Sequence, residues 1–207
     1  MNKNILNNKG TFLPVMEVFL SIQGEGYHTG RASYFIRVGG CDVGCHWCDV
    51  KESWNPEIHP LLEVEKIVNN IPENIKTVII TGGEPTLYNL NFLVKKLKEK
   101  NIEIHLETSG IGLISNNFDW ICLSPKKNEL PKQQFYNLAN ELKIIVQNKT
   151  DFNFAEVQAE KVNKNAKLFL QPEWSNRNKI TPLIIEYIKK NTKWKISLQT
   201  HKYLNIP

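Results

Sequence analysis

Short runs of β-branched and aliphatic residues recur along this chain, and from residue 76 onward they alternate with stretches whose apolar positions repeat at helical spacing. Lys76 to Thr81 reads as a strand, after which Leu90, Leu93, Val94 and Leu97 share one face of a helix spanning Leu90 to Lys100. Further strands are expected at Glu103 to Thr108, Trp120 to Ser124, Leu142 to Val146, Ala166 to Gln171 and Lys195 to Gln199. Further helices are expected at Leu61 to Ile71, Phe152 to Val162 and Pro182 to Lys190. Ahead of these, the strand candidates Val15 to Ile22 and Ser33 to Val38 flank the glycine-bearing stretch Gln23 to Gly26. Alternation of this kind builds βα units around a parallel sheet. A complete eightfold barrel takes about 250 residues. Some six βα units in 207 residues therefore predict an α/β fold, a partial TIM-like βα barrel with about six parallel strands, forming a single domain over residues 1–207.

Folds of this class put their sites at the C-terminal ends of the parallel strands. Chemistry-bearing residues gather at such ends here, in Thr81 to Pro85, Glu107 to Gly110, Ser124 to Lys126 and Gln171 to Pro172. Composition adds mainly exclusions. The formal charge of +5 comes from dispersed lysines, a weak signal for nucleic acid that a cleft collecting a small anion would share. Apolar runs such as Thr77 to Ile80 fall far short of the roughly 20 residues of a bilayer span, so no membrane segment is expected. The Asn- and Lys-rich start, Met1 to Gly10, has no signal-peptide apolar region, which predicts a cytoplasmic protein. Its four cysteines are then reduced thiols or metal ligands.

Three of them, Cys41, Cys45 and Cys48, stand within eight positions on a loop softened by Gly39, Gly40 and Gly44. Structural zinc sites favour paired ligands from two separate segments, and the second pair is missing. Three thiolates on one short loop suit a [4Fe-4S] cluster that leaves one iron open to a small molecule. A reduced loop, or a zinc knuckle completed by His46 or His28, is the competing reading. Cys122 reads as a buried small hydrophobe. Trp47, fixed between two of the three cysteines, is placed to shield whatever they hold, and His59 and His105 carry no sign of a partner.

The Cys-x3-Cys-x2-Cys spacing resembles the radical S-adenosylmethionine superfamily, and Thr81-Gly82-Gly83-Glu84-Pro85 is similar to its Gly-Gly-Glu-Pro motif. The resemblance implies S-adenosylmethionine chelated to the open iron and cleaved on reduction to a hydrogen-abstracting 5'-deoxyadenosyl radical. It implies cofactor contacts at Trp47, Asp49, Gly83, Glu84, Glu107, Ser109, Ser124, Pro125, Lys126, Gln171 and Pro172, and reduction by a donor such as flavodoxin or ferredoxin.

A narrower likeness rests on Gln23-Gly24-Glu25-Gly26, Ser33-Tyr34-Phe35-Ile36-Arg37, the cysteine loop, Ser124-Pro125-Lys126 and Gln199-Thr200-His201-Lys202, all in order. Together they resemble the 7-carboxy-7-deazaguanine synthases of queuosine and deazapurine biosynthesis. That family contracts the ring of 6-carboxy-5,6,7,8-tetrahydropterin and releases ammonia. The resemblance implies substrate contacts at Ile22, Gln23, Gly24, Glu25, Arg37, Thr81, His201 and Pro207, the terminal proline's carboxylate accepting hydrogen bonds from pterin amino groups. It also implies a homodimer and a Mg2+ ion. Many members carry a threonine two residues after the last cluster cysteine as a magnesium ligand, whereas this chain has Val50, which has no side-chain oxygen. That leaves the magnesium ligand unknown, with substrate oxygens, water or Asp49 as alternatives. The competing functions are another small radical enzyme, such as a glycyl-radical activase, and a non-enzymatic zinc-binding module.

Overall fold

A computed structural model of the chain describes residues 9–114 and 117–207, so most of the Asn- and Lys-rich start lies outside the described residues. Strands β1 (Phe12–Ile22), β2 (Ala32–Val38) and β3 (Leu61–Glu63) precede β4 (Thr77–Gly82), β5 (Glu103–Thr108), β6 (Trp120–Leu123), β7 (Glu141–Val146), β8 (Lys167–Pro172) and β9 (Trp194–Ile196). Helices α1 (Val64–Asn69), α2 (Asn91–Glu99), α3 (Gln133–Leu138), α4 (Thr150–Lys161), α5 (Arg177–Lys190) and α6 (Thr200–Leu204) intervene or follow. One sheet runs in the order β3-β1-β2-β4-β5-β6-β7-β8-β9. β1 is antiparallel to β2 and β3, and every later neighbour pair is parallel. Among the described residues seven strands are parallel, in keeping with the expected set of about six, and β2 joins them beside β4.

Alternation along each strand divides the side chains between two jobs. Ile36, Val78, Ile80, Ile104, Leu106, Leu123, Leu142, Ile144 and Leu170 face one way, into a core completed by Ile67, Leu93, Leu97, Phe135, Phe152 and Ile184 of the helices. Each such burial contributes about 1.5–3 kcal/mol. The intervening residues Arg37, Thr81, Glu107, Cys122, Lys143 and Gln171 face a cleft on the other side. The sheet curls around that cleft until the segment after β9 meets the β1–β2 hairpin loop. Thr200 donates its N–H to the Gly24 carbonyl at 2.9 Å, and the Gly26 N–H reaches Ser197 Oγ at 2.9 Å. A flat sheet of this order would hold those segments far apart, so these bonds define the partial barrel.

The structure departs from the expected elements in four places. Leu61 to Glu63 pairs with Phe12 to Pro14 as a short edge strand, and the helix expected from Leu61 begins only at Val64. α5 starts at Arg177 and carries Pro182 inside it, so only the Asn178 carbonyl loses its intrahelical donor. α3 and α6, with six and five residues, are too short for a helical period to show in sequence. β9 ends at Ile196 instead of continuing to Gln199, where the chain leaves the sheet to cross toward Gly24. Among the described residues no helix is long and apolar enough to cross a membrane.

Candidate active site

The cleft has a volume of about 330 Å³. It is bordered by the β1–β2 hairpin loop, the cysteine loop after β2, the ends of β4, β5, β6 and β8, and residues 199–202 with Pro207. All the site residues read from the sequence line it except Pro125, which is buried.

Two glycines let the cysteine loop and the turn after β4 come together. Gly40 has φ +101°, a conformation L side chains avoid, and its carbonyl accepts the Glu84 N–H at 2.8 Å. A Cβ on Gly83 would fall 2.3 Å from that same carbonyl oxygen. Within the loop, Cys41, Cys45 and Cys48 pack with Val43, Ile111, Trp47 and Leu87 in an apolar pocket, and Asn128 donates to the Val43 and Gly44 carbonyls at 3.2 Å each. Burial pushes the Cys41 thiol up to about 11, assisted by Glu84 and by the other two thiols, and it raises Cys45 as well. Three thiols gathered from one short loop into a single apolar pocket are the ligand set of an iron–sulfur cluster with one iron left open. The donor set therefore fits the cluster.

Glu84 is almost entirely buried, and its carboxylate is saturated from within the chain. Oε1 accepts from Thr86 N at 3.0 Å, Thr86 Oγ1 at 2.6 Å and Thr108 Oγ1 at 2.5 Å. Oε2 accepts from Ser109 N at 2.7 Å and from Ser109 Oγ. Five donors fill about four lone-pair sites. The carboxylate thus ties the turn after β4 to the end of β5. Ser109 is committed to the same tie. Across the cleft, Lys126 Nζ donates to the Ser124 carbonyl at 2.7 Å and lies 5.5 Å from the centroid of the Trp47 ring, its pKa lowered by burial.

The opposite wall is a network of charges. Gln23 Nε2 donates to Glu107 Oε1 at 2.9 Å, and Thr81 Oγ1 donates to Glu107 Oε2 at 3.2 Å. Glu25 accepts from Gln199 Nε2 at 2.9 Å and pairs closely with Lys143. Burial would raise the Glu25 carboxyl, but Lys143 and Gln199 override it and hold it at about 2. Asp49 takes bonds from Lys202 Nζ at 2.5 Å and Gln199 Nε2 at 3.1 Å, and despite burial these keep its pKa lowered. Arg37 is engaged too, its Nε 2.6 Å from Glu17 Oε1. Pro207 reaches the far end of β1, where its carbonyl accepts from Ser21 Oγ at 2.7 Å. Of the histidines read as partnerless, His105 is buried against Glu103 at 2.8 Å and His59 meets the Glu52 carbonyl at 2.8 Å.

Sequence reading missed Lys143, Gln199 and Lys202 as members of this wall. Lys143 had one signal available: Glu141 and Lys143 put two charges on the same face of an otherwise apolar strand.

Comparison with known proteins agrees with this geometry. A family model described as the Radical SAM superfamily matches residues 35–121, which include the cysteine loop and the turn at Glu84. The 7-carboxy-7-deazaguanine synthase of Flavobacterium psychrophilum is 58% identical over 96% of this chain and 95% of its own length. The chain belongs to the 7-carboxy-7-deazaguanine synthase family. Another synthase, from Synechocystis sp., is 45% identical over 93% of each chain. The crystal structure of QueE from Escherichia coli superposes with a TM-score of 0.78 at 29% identity, covering 90% of this chain and 93% of that one. As a radical S-adenosylmethionine enzyme of this family, the chain takes a [4Fe-4S] cluster and S-adenosylmethionine.

Proposed function

We propose that this chain contracts the ring of 6-carboxy-5,6,7,8-tetrahydropterin to 7-carboxy-7-deazaguanine with release of ammonia, on the path to queuosine or a related deazapurine. The observation that carries the reading is the meeting of the Gln23–Glu25 loop, residues 199–202 and the cysteine loop around one cleft. In this reading Cys41, Cys45 and Cys48 hold the cluster, which supplies reducing power to generate a hydrogen-abstracting radical from S-adenosylmethionine. The Gly82–Gly83 backbone, Ser124, Pro125, Lys126, Gln171 and Pro172 bind that cofactor, with Trp47 covering it. Glu84 and Ser109 position the turn instead of touching the ligand. Ile22, Gln23, Gly24, Glu25, Thr81, Glu107, His201 and Pro207 orient the pterin, whose edge of N–H and carbonyl groups suits a wall of carboxylates and amides. Arg37 exchanges part of its pairing with Glu17 for the pterin carboxylate. Holding both molecules in near-attack geometry and excluding water is the protein's contribution to catalysis.

The same reading makes the protein a cytoplasmic homodimer of single-domain chains, acting on a small molecule rather than on nucleic acid or a membrane, and reduced by flavodoxin or ferredoxin. Anaerobic incubation with carboxytetrahydropterin, S-adenosylmethionine and a reductant is expected to yield 7-carboxy-7-deazaguanine and one equivalent of ammonia. Cleavage of S-adenosylmethionine with the pterin left intact would point to a different substrate, such as a glycyl-radical protein.

Magnesium in this reading is bound by substrate oxygens and water, since Val50 offers no ligand and Asp49 is held by Lys202 and Gln199. Val50→Thr is expected to lower the magnesium concentration that gives half-maximal turnover. Superimposable magnesium titrations for the two proteins would move the ion away from position 50.

A further inference from the structure

Lys143 stands on the concave face of β7 between two carboxylates contributed by other elements. Its Nζ pairs closely with Glu25 and lies 4.0 Å from Glu107, with 6% of its side chain exposed. A lysine in this position can act as an acid, as a substrate anchor or as a counter-ion. Burial alone would lower its pKa, but Cys122, Glu25, Glu107 and Glu141 around it carry it well above the ordinary lysine value. A proton bound that firmly is a poor one to transfer near neutral pH. The side chain is also spent on its partners, which argues against an anchor for the pterin carboxylate.

The counter-ion role is what the geometry supports. Each carboxylate is steered by an amide from a second element, Glu107 by Gln23 at 2.9 Å and Glu25 by Gln199 at 2.9 Å, and Lys143 is the ammonium between them. His201 and Asp49 also face Glu25, and Lys126 contributes a more distant charge to Lys143. Two carboxylates against one ammonium leave the wall with a surplus of acceptors. A ligand edge carrying several N–H donors, as a pterin does, matches that surplus.

We propose that Lys143 is a positioning residue for the substrate: it holds Glu25 and Glu107 in place as paired acceptors for the N–H edge of the pterin. This deepens the pterin reading and rests on it. Removing Lys143 takes away the influence that overrides burial at Glu25, so the carboxyl rises from about 2 and begins to be protonated at a higher pH. Pterin binding then weakens as pH falls, whereas the wild-type carboxylate stays charged throughout the working range.

The test uses Lys143→Met and the double variant Lys143→Met/Glu25→Gln, both reconstituted with iron and sulfide anaerobically. A stranded buried carboxylate can prevent the single variant from folding, and the double variant removes that charge. In the single variant KM for carboxytetrahydropterin is expected to rise roughly 30- to 1,000-fold, the range for unpairing a buried charge at a binding surface, and in the double variant it rises as well because the charged acceptor at position 25 is gone. Iron content and S-adenosylmethionine affinity should be unchanged, with kcat at saturating pterin within about threefold of wild type. The single variant's KM should climb further as pH is lowered, and the double variant's should not. Unchanged KM with collapsed kcat would overturn the proposal by placing Lys143 in the chemistry. Equal loss of affinity for pterin and S-adenosylmethionine would overturn it by making Lys143 a support for the whole cleft. Wild-type protein that binds S-adenosylmethionine yet leaves the pterin unconverted would overturn this proposal and the functional reading together.

Discussion

Alanine in place of Cys41, Cys45 or Cys48 is expected to remove iron and turnover together. Each thiolate takes a different iron of a cubane cluster, and three is the number that leaves a single iron open. Losing one exposes a second iron to solvent and removes one of the charges that offset the metal centre. The loop itself survives the change, because Gly40 is tied to Ser53 at 2.5 Å, Cys41 N donates to Trp54 O at 3.2 Å and Asn128 holds the carbonyls at 43 and 44. Colourless, folded protein with less than a tenth of the wild-type iron is the expected product, read by iron assay, visible absorption and circular dichroism. Cys122→Ala serves as the contrast. Cys122 lies on β6, on the cleft face next to Lys143 and outside the cysteine loop, so its variant should keep full iron content. Iron loss in that variant with intact folding would mean that the ligand set is wrong.

The second large effect is expected at Glu84, and it is an effect on stability. Glu84→Ala strands the buried N–H groups of Thr86 and Ser109 along with three hydroxyls. Unsatisfied buried donors cost about 1–3 kcal/mol each. Allowing for hydroxyls that re-pair with one another, the total is about 3–5 kcal/mol, or a fall of roughly 10 °C in Tm for a protein of this size. The damage should spread to the cluster, since the Glu84 N–H holds the Gly40 carbonyl beside Cys41. Thermal unfolding of the anaerobic holoenzyme measures the first consequence and iron retention over time the second. If Glu84 instead met the cofactor directly, Tm would stay near the wild-type value and only S-adenosylmethionine affinity would fall.

What could be read in the sequence was what lies close together in it. The cysteine loop is one contiguous stretch, and Thr81, Glu107 and Gln171 fall at the C-terminal ends of expected parallel strands, where folds of this class put their sites. Pairings between distant segments stayed hidden. Lys143 and Glu25 are separated by 118 positions, and nothing local to either announces the other. Arg37 read as a substrate contact, and its pairing stayed hidden because β1 shifts register between Val15 and Glu17, which sets Glu17 directly opposite it. At Glu84 the motif was legible and the role was not. The carboxylate suggested a ligand contact, whereas Thr86, Thr108 and Ser109 use up its lone pairs. Such saturation is a property of two strand ends meeting, which a linear pattern does not display.

The bonds from Thr200 to Gly24 and from Gly26 to Ser197 also set a schedule for protein synthesis. Gly24 is made early and waits for partners encoded more than 170 positions later. Chains leave the ribosome at about 5–20 residues per second, so the hairpin loop is without its clasp for on the order of ten seconds. During that interval the β1–β2 hairpin, the cysteine loop and the first βα units can settle locally, while the cleft stays open on one side. Among the described residues the contacts of the cysteine loop reach no further along the chain than Asn128, whereas a closed substrate wall needs residues 197–202. The partners of the cysteine loop are thus all synthesised some 70 positions before those that close the substrate wall.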